Sequence, residues 1–227
     1  MIGKTNGNGE SFMSYDAAIF DLDGTLLNTL EDLADSVNHA LTACGYPVRS
    51  LDEVRRFVGN GVALLVHRAV PADTPPEEEA RCLDCFRAHY LTNMRHKTAP
   101  YPGIPALLAQ LEQAGIGIAV VSNKFDTAVK ELCRDYFGPV VPVAIGESAS
   151  VRRKPAPDTV FAALDELGVP AARAVYVGDS EVDIETARNA GMDCISVTWG
   201  FRDAAFLTAH GAGCLVGTPE ELSDLLL

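Results

Sequence analysis

The sequence predicts an α/β protein: a doubly wound parallel sheet of Rossmann-like topology that carries an inserted α-helical segment. Three observations support this prediction. Short runs of Val, Ile and Ala alternate along the chain with amphipathic segments of helical length, which is typical of strands joined by crossover helices. The runs are apolar on both alternating faces, as in strands covered by helices on both sides. After the first run, a long stretch shows helical patterns but no strand pattern.

The apolar runs predict strands at 17–22, 116–121, 140–145, 174–177, 194–197 and 214–216. Helices are predicted between and after them at 104–114, 126–137, 158–167, 181–190, 203–210 and 219–226. Glycines lie at or near several of the C-terminal helix ends, where they are favoured. The last helix begins with a capping box from Thr218 to Glu221, with Pro219 at its first position.

The stretch between the first two runs predicts four helices, at 29–44, 51–58, 62–70 and 75–95. Capping boxes that begin at Ser50 and Thr74 mark the start of the second and fourth helices. Ligands of such sheets bind beyond the carboxyl ends of the strands, so an insertion there covers the site like a lid. We therefore expect a core domain of residues 15–27 and 100–227 and a helical cap of residues 28–99.

Composition narrows the class of protein. The 227 residues carry 18 Lys and Arg against 31 Asp and Glu, a net charge of −13, which disfavours a nucleic-acid binder. An apolar content of 48% excludes disorder as a description of the whole chain. We find no signal peptide and no apolar run of membrane-spanning length, and expect a cytoplasmic protein, monomeric or homodimeric, without membrane contact. Residues 1–14 are predicted to be a disordered extension.

The six cysteines are expected to be reduced thiols, because they are scattered through a chain far larger than a disulfide-stapled miniprotein. Cys82 and Cys85 form a C-x-x-C pair, with His89 one helical turn further on. The pair lies inside a helical pattern, and no second C-x-x-C completes a zinc site. We therefore expect neither a zinc site nor a redox function there.

Two carboxylates follow the first predicted strand, in the stretch Asp21-Leu22-Asp23-Gly24-Thr25. Residues two apart on a strand face the same side, so Asp21 and Asp23 share one pocket. Such close like charges repel unless a cation lies between them or one carboxyl keeps its proton. Since hard oxygen ligands suit Mg²⁺, the pair indicates a magnesium site. The alternative is that both acids cap the following turn.

Polar residues follow the second predicted strand and precede a later helix. Ser122 and Asn123 place a hydroxyl and backbone N–H groups at a helix start, which favours anion binding. A Ser-Asn pair is also typical of a simple helix cap. Lys154 lies just before a helix start that Pro155 and Pro157 fix. Taken alone, such a lysine is an ordinary surface charge, and only its neighbours in the fold suggest a role.

Two more acids follow the strand predicted at 174–177. Asp179 lies at the end of a strand in the same sheet as Asp21, which favours a further metal ligand. Asp183 lies four residues later, near the first turn of a helix, where it also fits a capping pair with Ser180.

The ordered set D-x-D-G-T, Ser-Asn, Lys-Pro and G-D-x-x-x-D, each at a strand end, resembles the motif set of the haloacid dehalogenase superfamily over residues 17–227. Within it, the stretches 20–29, 55–61 and 122–124 resemble phosphoglycolate phosphatases. Asn28 stands where an acidic residue is common, and Ser122 where Thr is often found. Neither departure removes a catalytic group.

The resemblance implies a Mg²⁺-dependent phosphatase that hydrolyses a small phosphorylated metabolite through an aspartyl-phosphate. It implies that Asp21 is the nucleophile and that Asp23 acts as general acid and then as general base. It implies that the metal is held by Asp21, the Asp23 carbonyl and Asp179, and that Asp183 binds metal-bound water. It also implies that the phosphoryl group is bound by Ser122, the Asn123 backbone N–H and Lys154.

The insertion resembles the small helical cap that selects the substrate in such enzymes. We expect 2-phosphoglycolate as the substrate, with Arg55 or Arg56 binding its carboxylate and Asn60 also in contact. Alternatively, the arginines pair only with acids on the helix surface. A β-phosphoglucomutase-like mutase, a phosphatase for pyrophosphate, nucleotides or sugar phosphates, and a catalytically silent binding protein are the other candidates. Gly178 counts against the mutase, because those enzymes usually carry an acidic residue there.

Overall fold

The computed structural model describes residues 15–149 and 151–227, so the predicted extension at 1–14 lies outside the described residues. The strands of this part of the chain are β1 (Ala17–Phe20), β2 (Leu27–Asn28), β3 (Ala99–Pro100), β4 (Gly117–Phe125), β5 (Val143–Glu147), β6 (Ala174–Gly178), β7 (Asp193–Val197) and β8 (Leu215–Val216). The α-helices are α1 (Leu30–Ala43), α2 (Leu51–Phe57), α3 (Val62–Ala69), α4 (Pro76–Asn93), α5 (Ile104–Gln113), α6 (Asp126–Phe137), α7 (Asp158–Leu167), α8 (Glu181–Ala190), α9 (Ala204–Ala209) and α10 (Pro219–Leu226).

The central sheet has the strand order β5-β4-β1-β6-β7-β8, and all its pairs are parallel. From β1 the later strands are added outwards in both directions, β4 and β5 on one side and β6, β7 and β8 on the other, which is the arrangement of a doubly wound sheet. The predicted α/β fold class is confirmed. β5 begins three residues later than expected, at Val143, because Pro142 before it has no N–H for the ladder.

Successive side chains of β1 point to opposite faces of the sheet, and both faces are buried, which explains why its sequence is apolar throughout. Ala17 and Ile19 belong to one hydrophobic cluster, together with residues of α7 and α8. Ala18 and Phe20 belong to the other cluster, together with residues of α5, α6 and α10. All four strand residues are fully buried, so the first strand runs through the centre of the fold and fixes the position of Asp21 at its carboxyl end.

The helix bounds match the sequence prediction to within two residues at each end. Ser50 caps α2 in a complete capping box: its hydroxyl accepts from the Glu53 N–H, and the Glu53 carboxylate accepts from the Ser50 N–H. The box predicted at Thr74 is wrong, since α4 begins at Pro76 and Pro75 occupies the cap position. Pro75 itself precedes a proline and is held in an extended conformation, so the helix starts only at Pro76.

The helical insertion leaves and re-enters the core through a short antiparallel pair, in which Leu27 lies opposite Pro100 in strands β2 and β3. Sequence patterns missed both strands, which are only two residues long. The return is fixed by Asp32 of α1, whose buried carboxylate accepts from the backbone N–H groups of Lys97 and Thr98. Helices α1 to α4 pack on one another, and their apolar residues share one hydrophobic cluster with the core.

Cys82 and Cys85 lie on α4, in the helical setting expected for them. All six cysteines are free thiols, as the sequence predicts. No helix within the described ranges combines the length and apolarity needed to cross a bilayer.

Candidate active site

Four polar side chains from separate parts of the sequence meet at the carboxyl ends of the central strands. Asp21 directly follows β1, Asp179 directly follows β6, Asp183 lies in the first turn of α8, and Lys154 precedes α7. The Lys154 Nζ lies 2.8 Å from Asp21 Oδ1 and 2.7 Å from Asp183 Oδ1. The structure therefore brings together the residues that the sequence singled out at three strand ends.

The three carboxylates of this group can share one cation. One oxygen of each of Asp21, Asp179 and Asp183 lies within 4.8 Å of the other two, and all three residues are buried. The Asp179 carboxylate is held by the Thr25 hydroxyl at 3.3 Å and by the Phe201 N–H at 2.7 Å. Oxygen ligands so arranged are suited to a hard divalent cation.

Glycines make room for these carboxylates. At Gly24, which has a φ of +88°, an added Cβ would lie 2.3 Å from Asp179 Oδ2. At Gly178, an added Cβ would lie 2.4 Å from the Cβ of Asp183. A side chain at either position would displace a carboxylate of the cluster, so both glycines belong to the construction of the site.

The electrostatics of the cluster are those of crowded, buried acids. Burial raises the pKa of the Asp21 carboxyl to about 7, against the lowering effect of Lys154 and with a further increase from Asp183. Burial and the charges of Asp183 and Asp21 raise the pKa of Asp179 well above its ordinary value. Three ionised carboxylates would exceed the charge that one lysine offsets, so a bound cation would favour their ionised form.

Lys154 is held on several sides at once. Besides the two carboxylates, its Nζ donates to the Tyr176 hydroxyl at 3.0 Å. Although burial acts to lower it, the charges of Asp183 and Asp21 raise the pKa of this lysine well above its ordinary value, so it is a permanent cation. Asp183 also accepts from the N–H and hydroxyl of Ser180. The predicted capping pair is thus real, and Asp183 orients Lys154 as well.

Ser122 and Asn123 lie where β4 passes the same edge of the sheet. The pairing of β4 with β5 is irregular between Val121 and Phe125, so the backbone at 122–124 is released from the regular ladder. The Asn123 side chain donates to the carbonyls of Gly59, at 3.2 Å, and Lys154, at 3.0 Å. It therefore ties the helical insertion to the loop that carries the buried lysine.

Asp23 has partners that sequence reasoning did not identify. Its Oδ1 accepts from the Thr29 hydroxyl at 2.6 Å, and its Oδ2 lies 3.0 Å from the Nζ of Lys124. Lys124 also donates to the hydroxyl of Tyr90, on α4, at 2.8 Å. The sequence did carry a signal for Lys124, because this residue belongs to the stretch Ser122-Asn123-Lys124 that supports the family resemblance. Tyr90 had no comparable signal within its helical pattern.

The three cap residues predicted to touch substrate do not line the cleft. Arg55 is exposed and lies 3.4 Å from Asp52 on the same helix face, and Arg56 is exposed. The Asn60 Oδ1 accepts from Arg68 at 3.0 Å. Arg55 and Arg56 follow the buried Val54, so helical geometry turns them away from the apolar face of α2. The alternative of a surface ion pair describes Arg55 better.

The cleft above the carboxylates is lined on the core side by Asp21, Asp23, Ser122, Asn123, Lys124, Lys154, Asp179, Ser180, Phe201 and Arg202. The helical insertion contributes Leu33, Val58, Gly59, Gly61, Val62 and Leu65. Arg202 was not predicted from the sequence. It donates to the carbonyls of Arg55 and Val58, both at 2.9 Å, and so links the loop after β7 to the end of α2.

Comparisons with known proteins agree with this geometry. A family model described as haloacid dehalogenase-like hydrolase matches residues 18–197. A phosphoglycolate phosphatase of Mesorhizobium japonicum is 36% identical over 201 residues, which cover 84% of this chain and 86% of that protein.

Solved structures give the same result. A crystal structure from Lactobacillus delbrueckii subsp. bulgaricus superposes with a TM-score of 0.91 at 39% identity, covering 95% of this chain and 99% of that one. CbbY from Rhodobacter sphaeroides, solved in complex with phosphate, superposes with a TM-score of 0.75 at 30% identity, covering 92% of this chain and 96% of that one. A mutant form of CbbY is also known in complex with xylulose-1,5-bisphosphate.

Proposed function

The chain belongs to the haloacid dehalogenase-like hydrolases, and from that premise we propose that it is a Mg²⁺-dependent phosphatase of small phosphomonoesters. The observation that carries the proposal is the buried group of Asp21, Asp179, Asp183 and Lys154 at the carboxyl ends of the central strands. Such a group combines a nucleophile, a seat for a cation and a fixed positive charge. We further propose 2-phosphoglycolate as the substrate.

Asp21 is the proposed nucleophile. Its Oδ1 is fixed by Lys154 at 2.8 Å, so the other oxygen is free to attack phosphorus in line with the leaving group. The attack forms an aspartyl-phosphate and breaks the bond between phosphorus and the alcohol oxygen. Lys154, the Ser122 hydroxyl and the Asn123 backbone N–H are the proposed ligands of the phosphoryl oxygens, where they match the negative charge of the transition state.

Asp23 is the proposed acid and base. In the first step it gives a proton to the departing alcohol oxygen, and in the second it takes a proton from the water that cleaves the aspartyl-phosphate. The Thr29 hydroxyl at 2.6 Å and the Lys124 ammonium at 3.0 Å hold its two oxygens. These contacts fix the direction in which Asp23 presents its carboxyl to the cleft.

The carboxylates fit a divalent cation. Asp21, Asp179 and Asp183 present close oxygens in a buried setting, and burial with mutual repulsion raises the pKa of Asp179. We propose that Asp21, Asp179 and the Asp23 carbonyl hold Mg²⁺, with Asp183 contacting metal-bound water. When bound, Mg²⁺ neutralises phosphate charge and orients the phosphoryl group.

The helical insertion, residues 28–99, is proposed to act as the cap of this enzyme, over a core of residues 15–27 and 100–227. The cap side of the cleft is largely apolar, with Leu33, Val58, Val62 and Leu65. Such a wall excludes water from the reacting phosphoryl group.

The test is phosphate release from a panel of phosphomonoesters, measured as kcat/KM in Mg²⁺ and in chelator. The panel contains 2-phosphoglycolate, sugar phosphates and bisphosphates, nucleotides and pyrophosphate. We expect kcat/KM for 2-phosphoglycolate to exceed that for the other substrates by at least about 100-fold, equivalent to about 3 kcal/mol of transition-state discrimination. We also expect chelator to abolish turnover.

A flat but Mg²⁺-dependent panel would contradict the substrate and leave the phosphatase in place. Preference for a sugar bisphosphate would assign the chain the kind of ligand seen with CbbY. Isomerisation of a sugar phosphate without phosphate release would contradict hydrolysis itself. That mutase alternative gains no support from position 178, where a side chain would collide with Asp183.

A further inference from the structure

We propose that Lys124 binds the carboxylate of the substrate and thereby selects an anionic leaving group. This inference rests on the proposed phosphatase function and deepens it, because it assigns the leaving-group specificity to a single residue of β4. The role is separate from phosphate binding, which the proposal above gives to Lys154, Ser122 and Asn123.

Lys124 is a buried cation beside the group that protonates the leaving alcohol. The residue is 3% exposed and lines the cleft. Its Nζ lies 3.0 Å from Asp23 Oδ2 and 2.8 Å from the Tyr90 hydroxyl, and 4.5 Å from the centre of the Tyr90 ring. Its ammonium is therefore an ion-paired cation at the wall of the cleft, next to the group that contacts the leaving oxygen.

One donor of this ammonium remains for a ligand. An ammonium has three N–H donors, and the described part of the chain provides two polar partners, Asp23 and Tyr90. A buried donor without a partner is costly, so the third position favours an acceptor brought by the substrate. A carboxylate is the strongest such acceptor, because it adds a charge to the hydrogen bond.

The other cations of the cleft are already committed. Lys154 contacts Asp21, Asp183 and Tyr176, and the proposed mechanism assigns it to the phosphoryl group. The Arg202 guanidinium directs donors to Glu181 and to three backbone carbonyls at the end of α2. Lys124 is thus the lining cation best placed to take a further partner within the described ranges.

The covalent structure of a phosphorylated 2-hydroxy acid fits this position. Its carboxylate oxygens are three bonds from the oxygen that leaves phosphorus, so they lie about one hydrogen-bond length from it. Asp23 must contact that leaving oxygen to protonate it, and Lys124 lies beside Asp23. The wall that the helical insertion contributes is apolar, with Leu33 and Leu65, and an unpaired carboxylate against it would be strongly disfavoured.

The experiment compares kcat/KM for 2-phosphoglycolate with that for ethyl phosphate, in which a methyl group replaces the carboxylate. We expect the ratio of the two values to fall by about 10- to 100-fold in Lys124→Met, the range of a charge-assisted hydrogen bond. Lys130→Met is the matched control: Lys130 lies on α6, its side chain is 61% exposed, and it pairs with Asp126. The control should leave the ratio unchanged.

The outcomes separate this inference from the function on which it rests. If the wild-type protein shows no preference for 2-phosphoglycolate over ethyl phosphate, the proposed substrate is wrong. If the wild type has the preference and Lys124→Met lowers kcat/KM equally for both substrates, the proposed substrate stands, and Lys124 acts only by holding Asp23. That second result would overturn the present inference.

A measurement on the wild type alone covers the case in which Lys124→Met fails to fold. The homologue of 2-phosphoglycolate with one more methylene group moves the carboxylate away from the leaving oxygen. We expect its kcat/KM to lie below that of 2-phosphoglycolate by at least about 10-fold, because a buried ammonium cannot follow the carboxylate. Equal or better use of the longer substrate would place the selecting cation elsewhere and refute the role of Lys124.

Discussion

The substitution Asp21→Asn should abolish turnover and at the same time stabilise the metal-free protein at neutral and alkaline pH. Asn is nearly isosteric with Asp, and its Oδ1 can still accept from Lys154, which lies 2.8 Å from that atom in the wild type. The substitution removes only the negative charge. In the wild type, that charge is disfavoured by burial, which raises the Asp21 pKa to about 7.

The magnitude follows from the displaced pKa. A change from 3.8 to about 7 is roughly 3 units, and each unit corresponds to about 1.36 kcal/mol, so ionising Asp21 costs the folded state up to about 4 kcal/mol at pH 8. For a chain of this size, that corresponds to a gain in Tm of roughly 10 °C. A raised carboxyl pKa means that stability is fully present below pH 3.8 and is lost as pH rises towards 7. The gain in the variant should therefore shrink to less than half at pH 5.

The assay is thermal unfolding in chelator at pH 8 and pH 5, with Asp165→Asn as the matched control. Asp165 is exposed on α7, and neutralising an exposed acid changes stability by no more than about 0.5 kcal/mol. Addition of Mg²⁺ at pH 8 should then stabilise the wild type and the control more than Asp21→Asn. A variant that is no more stable than the wild type at pH 8, or whose gain is the same at both pH values, would refute the electrostatic reasoning.

Two further substitutions test contacts around the cleft. Gly178→Ala should lower the free energy of unfolding, measured by urea titration, by about 1–3 kcal/mol, because the added Cβ would lie 2.4 Å from the Cβ of Asp183. The control is Gly213→Ala, whose added Cβ meets no atom within 4 Å. Equal losses of stability in the two variants would contradict the predicted clash. Arg202→Gln should raise KM by about 10-fold with a smaller effect on kcat. It removes hydrogen bonds to the end of α2, such as that to the Val58 carbonyl at 2.9 Å, and so lowers the population of the arrangement in which the helical insertion lines the cleft. An unchanged KM would show that these contacts do not control substrate binding.

The sequence predicted which polar residues lie together at one edge of the sheet, because parallel strands end at the same edge and polar residues directly after apolar runs meet there. Asp21, Lys154 and Asp179 were found in this way. Their environment was harder to predict, since it depends on partners far along the chain. The contact of Tyr90 with Lys124, for example, joins a helix and a strand that only the fold brings together.

The helical insertion was predicted as a set of helices but not as a surface. Hydrophobic spacing locates α2 and its capping box, yet it does not say which residues at the end of a short helix turn towards the cleft. Arg55 was chosen for its charge and faces solvent, while Val58 and Gly59 line the cleft. Arg202 was missed because it follows β7 in a loop that carries no pattern.

The most direct test of the central claim is to capture the proposed covalent intermediate. Wild-type protein is mixed with 2-phosphoglycolate and Mg²⁺, quenched in acid within the first turnover, digested and analysed by mass spectrometry. We predict one added phosphoryl group on the peptide that contains Asp21, present in the Asp165→Asn control and absent from Asp21→Asn. Rapid release of phosphate with no phosphoryl group on that peptide at any quench time would contradict an aspartyl-phosphate at Asp21.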